Sequence, residues 1–233
     1  MITALPSHEG SAEMDLIPQG TAMRKILVLA AALLAATPLA ASADALSYTY
    51  VEGGWTQLQV SQPGSNPKLD GGYIRGSFAI AEQVYVFGGY SMVSKTYHYG
   101  DDFGYGPYSI KDTIEQPELG IGYHMPISDR LDFTADLAWM RINNEVEYKN
   151  EFVDVSADAH TNAGRAAFGV RGKPSKRTEA WVKAGYIDGS DMDGEWIGTL
   201  GGQVNFTKNW GLVGEAQYFD DITQYSVGVR ASF

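Results

Sequence analysis

The twelve residues 222–233, ITQYSVGVRASF, decide the fold. Consecutive side chains of a strand point to opposite faces, so a strand with one apolar face alternates apolar and polar residues. The apolar set here is Tyr225, Val227, Val229, Ala231 and Phe233, and the set between is Gln224, Ser226, Gly228, Arg230 and Ser232. This stretch therefore predicts a β-strand with one apolar face and one polar face.

The same alternation recurs from residue 47 onward and predicts ten strands. Their expected ranges are 47–60, 70–81, 83–95, 113–125, 130–148, 157–172, 178–189, 194–206, 210–219 and 222–233. Eight strands are the alternative if two weaker segments, notably 83–95 or 210–219, merge with their neighbours. Longer loops over about 61–69, 96–112, 149–156 and 188–193 alternate with short turns, the pattern of an up-and-down barrel in an outer membrane.

Alternation by itself fits two kinds of barrel. A soluble barrel points its apolar face inward, and a transmembrane barrel points it toward lipid. Aromatic residues near both ends of the apolar faces favour the membrane. Tyr225 and Phe233 are eight residues apart, which at about 3.3 Å per residue and a tilt near 40° spans roughly 20 Å, near the height of a lipid-facing band. The expected anchoring aromatics are Trp139, Tyr186, Trp196, Phe206, Trp210, Tyr218, Tyr225 and Phe233.

The polar faces carry charges of both signs, which can pair inside a narrow lumen. The expected lumen network is Glu52, Arg75, Glu118, Asp132, Asp136, Arg165, Arg171, Lys183, Glu215 and Arg230. Together with the strand that closes on Phe233, these features predict an all-β fold, a closed antiparallel up-and-down transmembrane β-barrel over residues 44–233.

The chain before the barrel has the order of a secretory signal peptide. Residues 23–43 begin Met-Arg-Lys, continue through an apolar run and end Ala-Ser-Ala, so we expect cleavage after Ala43. The apolar run is shorter than the ~20 residues of a spanning helix. Residues 1–22 have no role in this scheme and are interpreted as an extension from a mis-assigned start codon.

Composition excludes some partners. There are 17 Lys and Arg residues against 28 Asp and Glu, a net charge of −11. Nucleic-acid binding needs clustered basic residues, so we expect no nucleic-acid partner. The chain contains no cysteine, which excludes disulfides and thiolate chemistry.

The search for catalytic or metal-binding residues returns weak patterns. Asp101-Asp102 with Asp158-Ala159-His160 superficially matches the aspartate and Asp-x-His pairs of omptin proteases, but adjacent strand residues face opposite sides. No histidine precedes a serine by two positions, as a lipid A deacylase requires. The acidic residues of 188–195 depart from the spacing of a calcium loop. We expect no enzyme activity, no cofactor and no metal site.

Residues 225–233 look like the C-terminal signal that the barrel-assembly machinery reads, with Tyr225 and Phe233 as its aromatic positions. The whole of 44–233 is similar to small OmpX/OmpA-type barrels, and more closely resembles barrels described as diffusible-signal-factor-regulated "activator of immunity" proteins. The matching blocks are LSYTYVEGGW (46–55), VFGGY (86–90), GIGY (120–123) and NWG (209–211). These blocks are structural and imply no catalytic residues.

Three functions stay open at this point. The first is a non-catalytic barrel with a structural or interaction role at the cell surface, in contact with lipid and lipopolysaccharide. Loop 96–112, which holds Tyr97, Tyr99, Tyr105 and Tyr108, is its candidate contact with an unknown partner, since tyrosine suits interfaces. The second is a narrow channel for ions or small solutes. The third is an omptin-like enzyme.

Overall fold

The computed structural model of the chain describes residues 46–61, 66–100 and 106–233. These residues form ten strands: β1 (Tyr50–Val60), β2 (Lys68–Ala79), β3 (Val84–Tyr99), β4 (Tyr108–Ser128), β5 (Leu131–Asn150), β6 (Asp154–Ser175), β7 (Thr178–Gly189), β8 (Met192–Asn205), β9 (Trp210–Phe219) and β10 (Ile222–Ser232). None of the described residues belongs to a helix that is long and apolar enough to cross a membrane. The predicted signal peptide (23–43) and extension (1–22) lie outside the described residues.

The strands close into a barrel. Each strand pairs antiparallel with the next, and β10 returns to β1 along the whole of both strands, from Tyr50 opposite Ser232 to Val60 opposite Ile222. Closure satisfies the backbone hydrogen bonds of the wall and leaves no sheet edge within it. The predicted closed barrel of ten strands is confirmed, and the alternative of eight is wrong.

The two ends of the barrel differ. At the turn end, the connections 80–83, 129–130, 176–177 and 206–209 are short, and both β1 and β10 have their outer termini there. At the loop end, the connections are 61–67, 100–107, 151–153, 190–191 and 220–221.

Several predicted loops are instead strand. Most of 96–112 belongs to β3 and β4, most of 149–156 to β5 and β6, and 188–193 shortens to a turn at 190–191. The predicted strands stopped early because residues typical of turns, Gly, Pro, Asn and Asp, occur in 96–112 and 149–156. The backbone nevertheless continues to pair, to Tyr99 opposite Tyr108 and to Lys149 opposite Asp154.

Four neighbouring strands are therefore longer than the others. β1, β2 and β7–β10 contain 10 to 14 residues, close to the ~9–11 that a tilted strand needs to cross a bilayer. β3 to β6 contain 16 to 22 residues. Their additional parts at the loop end, residues 93–99, 108–115, 141–150 and 154–162, form what we call the extended sheet.

Candidate functional site

The polar faces of the strands converge on a network of ion pairs in the barrel lumen. At its centre Glu52, fully buried, contacts the guanidinium groups of Arg75 and Arg230, the latter at 2.5 Å. Arg75 also donates to Glu215 at 2.7 Å, and Trp181 Nε1 donates to the other oxygen of Glu215 at 2.7 Å. Two cations and two carboxylates thus neutralise one another across strands that are far apart in sequence.

The remaining charges of the lumen are also paired. Lys183 and the hydroxyl of Tyr85 contact Asp136, and Arg165 contacts Glu118. Arg171 is held by Glu179, with nitrogen–oxygen distances of 2.5 and 3.2 Å. These side chains lie on the inner face of the barrel.

Asp132 belongs to a cluster at the turn end of the lumen. Its Oδ2 accepts a hydrogen bond of 2.9 Å from Tyr48 Oη and lies 3.2 Å from His124 Nδ1. The rings of Tyr48 and His124 are stacked with their centroids 3.8 Å apart, and Tyr85 stacks on Tyr48 at 4.9 Å.

Tyr48 lies in the lumen near its turn end. It precedes β1 in the sequence, is only 5% exposed and has the Arg171 guanidinium 5.0 Å from its ring centre. Burial raises the pKa of its hydroxyl above the ordinary value, because the phenolate would lose its hydration. The preceding Ser47 donates to the backbone oxygen of Phe233 at 2.7 Å, which fixes the segment to the end of the chain.

Apolar side chains gather at the loop end of the lumen. Leu58, Leu69 and Val93 are 3–5% exposed and pack together, with Val60, Ile114 and Ile222 around them. Further buried inward residues near the same end are Ile187, Ile197 and Phe219. Between these residues and Tyr48 the lumen contains a cavity of about 170 Å³ whose lining is partly polar and partly apolar.

The aromatic and acidic residues that complete this interior were missing from the expected network. They are Tyr48, Tyr50, Tyr73, Tyr85, Trp181 and Glu179. The signal that could have identified half of them is position in the strand: Tyr50, Tyr73 and Trp181 each stand two residues from a charged inward residue. Tyr50 and Trp181 both stack on the guanidinium of Arg230, at 4.0 and 5.1 Å.

The outer face of the barrel wall is apolar. Of the expected anchoring aromatics, Trp139, Tyr186, Trp196, Phe206, Trp210, Tyr218 and Tyr225 are 43–69% exposed on that face. Phe233 is partly buried, and its backbone nitrogen donates to Thr49 O at 2.9 Å.

The apolar and polar faces exchange sides where the extended sheet begins. In β5 the outward residues are apolar up to Trp139 and polar from Arg141 onward, whereas the inward residues change from Asp136 to Ile142. The outward side chains of the other three strands also become polar at this level. The change is from Met92 to Ser94 in β3, from Pro117 to Glu115 in β4 and from Gly164 to Asn162 in β6. A wall that faces lipid below this level and water above it requires this exchange.

Three tyrosines lie side by side near the tip of the extended sheet. The rings of Tyr99 and Tyr108 are stacked with centroids 4.7 Å apart, and those of Tyr108 and Tyr148 with centroids 5.4 Å apart. Tyr99 and Tyr108 come from the predicted loop 96–112, and Tyr105 lies outside the described residues. These tyrosines brace the pairing of β3, β4 and β5.

The omptin-like pattern is not assembled by the described residues. Asp158 and His160 are exposed on the outward face of β6, and Asp101 and Asp102 lie outside the description. Among the described residues, no group of three or more His, Cys, Asp or Glu side chains is placed to hold a metal ion.

Residues 26–233 match the family model of the outer membrane protein beta-barrel domain. A comparison with curated protein sequences gives no match. The chain is similar in structure to the beta domain of the Bordetella autotransporter BrkA, with a TM-score of 0.53, 12% identity, and 81% of this chain and 100% of that one covered.

Two further structures give lower scores. The translocator domain of the autotransporter NalP from Neisseria meningitidis has a TM-score of 0.48 and 14% identity, with 92% and 95% covered. Ail, the attachment invasion locus protein of Yersinia pestis, in complex with sucrose octasulfate, has a TM-score of 0.45 and 10% identity, with 79% and 97% covered.

Proposed function

Because the chain belongs to the outer membrane protein beta-barrel family and lies in the bacterial outer membrane, we propose that it is a non-catalytic, non-conducting barrel that presents the extended sheet for interaction at the cell surface. One observation carries the proposal: four strands continue past the lipid-facing wall, above a lumen that is filled by ion pairs and by apolar side chains at its loop end. In such barrels short turns face the periplasm and the longer elements face outward. The extended sheet then projects about 20–25 Å from the membrane, at about 3.3 Å per residue and a tilt near 40°.

The closed lumen supports a barrel without conduction over a narrow channel. Ion pairs and aromatic rings cross the middle of the lumen, and apolar side chains pack together at its loop end. Aqueous channels are formed by barrels of about 16–18 strands. The paired charges leave the interior nearly neutral, so no strong field draws ions through it.

In this proposal the exposed aromatic residues contact lipid, and the two ends of β10 serve assembly of the barrel. The exposed aromatics Trp139, Tyr186 and Trp196 lie near the outer boundary, while Phe206 and Trp210 lie near the turn end, as in the two aromatic girdles of outer-membrane barrels. Tyr225 and Phe233 stand at the two ends of β10, and in this proposal they are the positions that the barrel-assembly machinery reads.

The free edge of β6 is the part of the extended sheet best suited to a partner. The ladder from β6 to β7 begins only at Ala163, so residues 154–161 pair with β5 on one side and with no described strand on the other. The seven side chains from Asp154 to His160 are all exposed. An unpaired edge accepts an extended peptide by strand addition.

The side chains of this edge indicate what kind of peptide fits. Val155, Ala157 and Ala159 form an apolar inward face, whereas Asp154, Ser156, Asp158 and His160 face outward. A strand that alternates apolar with basic residues would cover the first face and meet the carboxylates on the second.

A proline at residue 156 tests this edge. The Asn162 carbonyl accepts a hydrogen bond from Ser190 N and therefore points away from β5. Backbone groups alternate sides along a strand, so the other even-numbered residues of β6 also direct their N–H and C=O groups away from β5, toward the free edge. Ser156→Pro therefore removes an edge donor without breaking the ladder to β5, and Ser156→Ala is the matched control. Peptides of alternating apolar and basic residues should protect β6 amides of the wild type and of Ser156→Ala from hydrogen exchange, and should not protect Ser156→Pro. Equal protection of all three variants, or of none, contradicts the assignment.

A further inference from the structure

A groove in the lipid-facing wall lies directly below the level at which the faces exchange. It is a shallow, apolar depression that is wide open toward lipid. Gly164 and Ala166 of β6 lie between Tyr186 of β7 on one side and Trp139 and Leu137 of β5 on the other. Beyond β5 the depression continues over Leu119 and Ile121 of β4 and Val86 of β3.

The floor is open because Gly164 has no side chain. A Cβ atom added at Gly164 would meet nothing within 4 Å, and Tyr186 packs edge-on against Trp196 of β8, with centroids 5.6 Å apart. Glycine inside a strand weakens the strand, and often marks a place where a ligand or another backbone approaches closely. Gly164 lies between Trp139 and Asp188 in the register, at the outer boundary of the lipid-facing wall.

A cation stands immediately above this groove. Arg141 follows Trp139 on the outward face of β5 and is opposite Asn162, the residue above Gly164 on β6. Its Nε donates to Asn143 at 2.8 Å. Within the described part of the chain, no carboxylate lies within ion-pair distance of this guanidinium. Guanidinium groups bind phosphate through two parallel hydrogen bonds.

We propose that this groove binds one molecule of the phosphorylated glycolipid of the outer leaflet, lipid A, with an acyl chain over Gly164 and a phosphate on Arg141. The apolar groove fits a hydrocarbon chain, and Asn143, Asn162 and His160 provide polar groups for the sugar at the level above. Asp188 lies on the opposite rim, where its charge weakens the binding of an anion. The site does not depend on whether the extended sheet has a partner.

Native mass spectrometry of the detergent-solubilised barrel, titrated with hexa-acylated bis-phosphorylated lipid A, tests the site. Wild type should retain one lipid A in preference to phosphatidylglycerol. Gly164→Leu fills the groove and should reduce retention at least tenfold, whereas Gly214→Leu should not, because Gly214 is equally open but lies on β9, outside the groove.

Two further variants test the charge without touching the groove floor. Arg141→Gln should weaken binding about tenfold, since a hydrogen bond to a charged group is lost. Asp188→Asn should strengthen binding about two- to fivefold. Both positions are on the surface, so the heat-modified gel migration of the folded barrel should be unchanged.

Three results would overturn the proposal. Equal retention by Gly164→Leu and Gly214→Leu would show that the groove holds no lipid. Phosphatidylglycerol binding as tightly as lipid A would remove the assignment to the glycolipid. A concentration-dependent dimer that Gly164→Leu abolishes, with lipid A binding unchanged, would assign the groove to a second copy of the chain.

Discussion

Replacing Glu52 by glutamine removes the central charge of the lumen network and keeps its shape. The Glu52 side chain is fully buried and contacts both Arg75 and Arg230. After the substitution Arg75 keeps Glu215 at 2.7 Å, but Arg230, 4% exposed, keeps only the rings of Tyr50 and Trp181. The variant thus leaves one buried cation without a carboxylate.

The expected loss of stability is large. Removing one partner of a buried ion pair costs about 3–5 kcal/mol, because the other charge stays desolvated. The amide of glutamine still accepts a hydrogen bond and Arg230 still stacks on two rings, so we expect the lower end, about 3 kcal/mol. The matched control is Lys111→Gln, which breaks a half-exposed pair with Glu147 of 3.0 Å and should cost at most about 1 kcal/mol.

Reversible guanidinium unfolding in lipid vesicles, followed by tryptophan fluorescence, measures both values. The double variant Glu52→Gln with Arg230→Met also removes the cation that Glu52→Gln leaves unpaired, and should recover part of the loss. If Glu52→Gln costs no more than Lys111→Gln, the lumen charges are hydrated by open water and the closed interior is wrong.

Three other variants test separate parts of the structure. Gly71→Ala should prevent correct pairing of β2 with β3, because the added Cβ would lie 1.8 Å from the Met92 carbonyl oxygen. The fraction of protein that shows the heat-modifiable migration of a folded barrel should fall for Gly71→Ala and stay normal for the control Gly214→Ala. Tyr108→Leu removes two ring contacts, each worth about 0.5–1.5 kcal/mol, and should speed hydrogen exchange at the tip of β3 and β4 but not in the wall; unchanged exchange at the tip would contradict the bracing role. Phe233→Ala should reduce the amount of barrel assembled in the outer membrane of cells while refolding in detergent is unaffected, and equal amounts in cells would exclude an assembly signal at this residue.

The alternation of residues was sufficient to predict the barrel wall. Along β10, Tyr225 to Phe233 lie on one face and Arg230 on the other, because a wall between lipid and lumen imposes a period of two. The inward charges, Glu52 and Arg75 among them, followed from the same period.

Residue type misled the prediction of the interior. Tyr48, Tyr85 and Trp181 are aromatic, and in an outer-membrane strand such residues are expected at the lipid boundary, but these three lie in the lumen. Their partners, Asp132, Asp136 and Glu215, are 84, 51 and 34 positions away in the chain. Contacts over such separations depend on the register of all the intervening strands, which local alternation does not contain.

Part of the extended sheet was missed because its tip has the composition of a loop. The predicted strands 130–148 and 157–172 continue past Trp139 and Gly164, where the apolar residues move to the inner face, so the change of face did not end them. The predicted loops 96–112 and 149–156 contain Gly, Pro, Asn or Asp, which are typical of turns. Their backbone nevertheless pairs with a neighbouring strand, as from Thr96 opposite Lys111 to Tyr99 opposite Tyr108, and composition does not contain that pairing.

Planar-bilayer recording on the purified barrel tests the closed lumen most directly. The wild type should give no stable single-channel steps. A triple variant replaces the residues proposed to close the two ends: Tyr48→Ala at the turn end, with Leu58→Ser and Leu69→Ser at the loop end. This variant should pass ions, because water can enter the former apolar constriction and the turn end is open. Stable steps from the wild type, equal in conductance to those of the triple variant, would contradict a closed barrel.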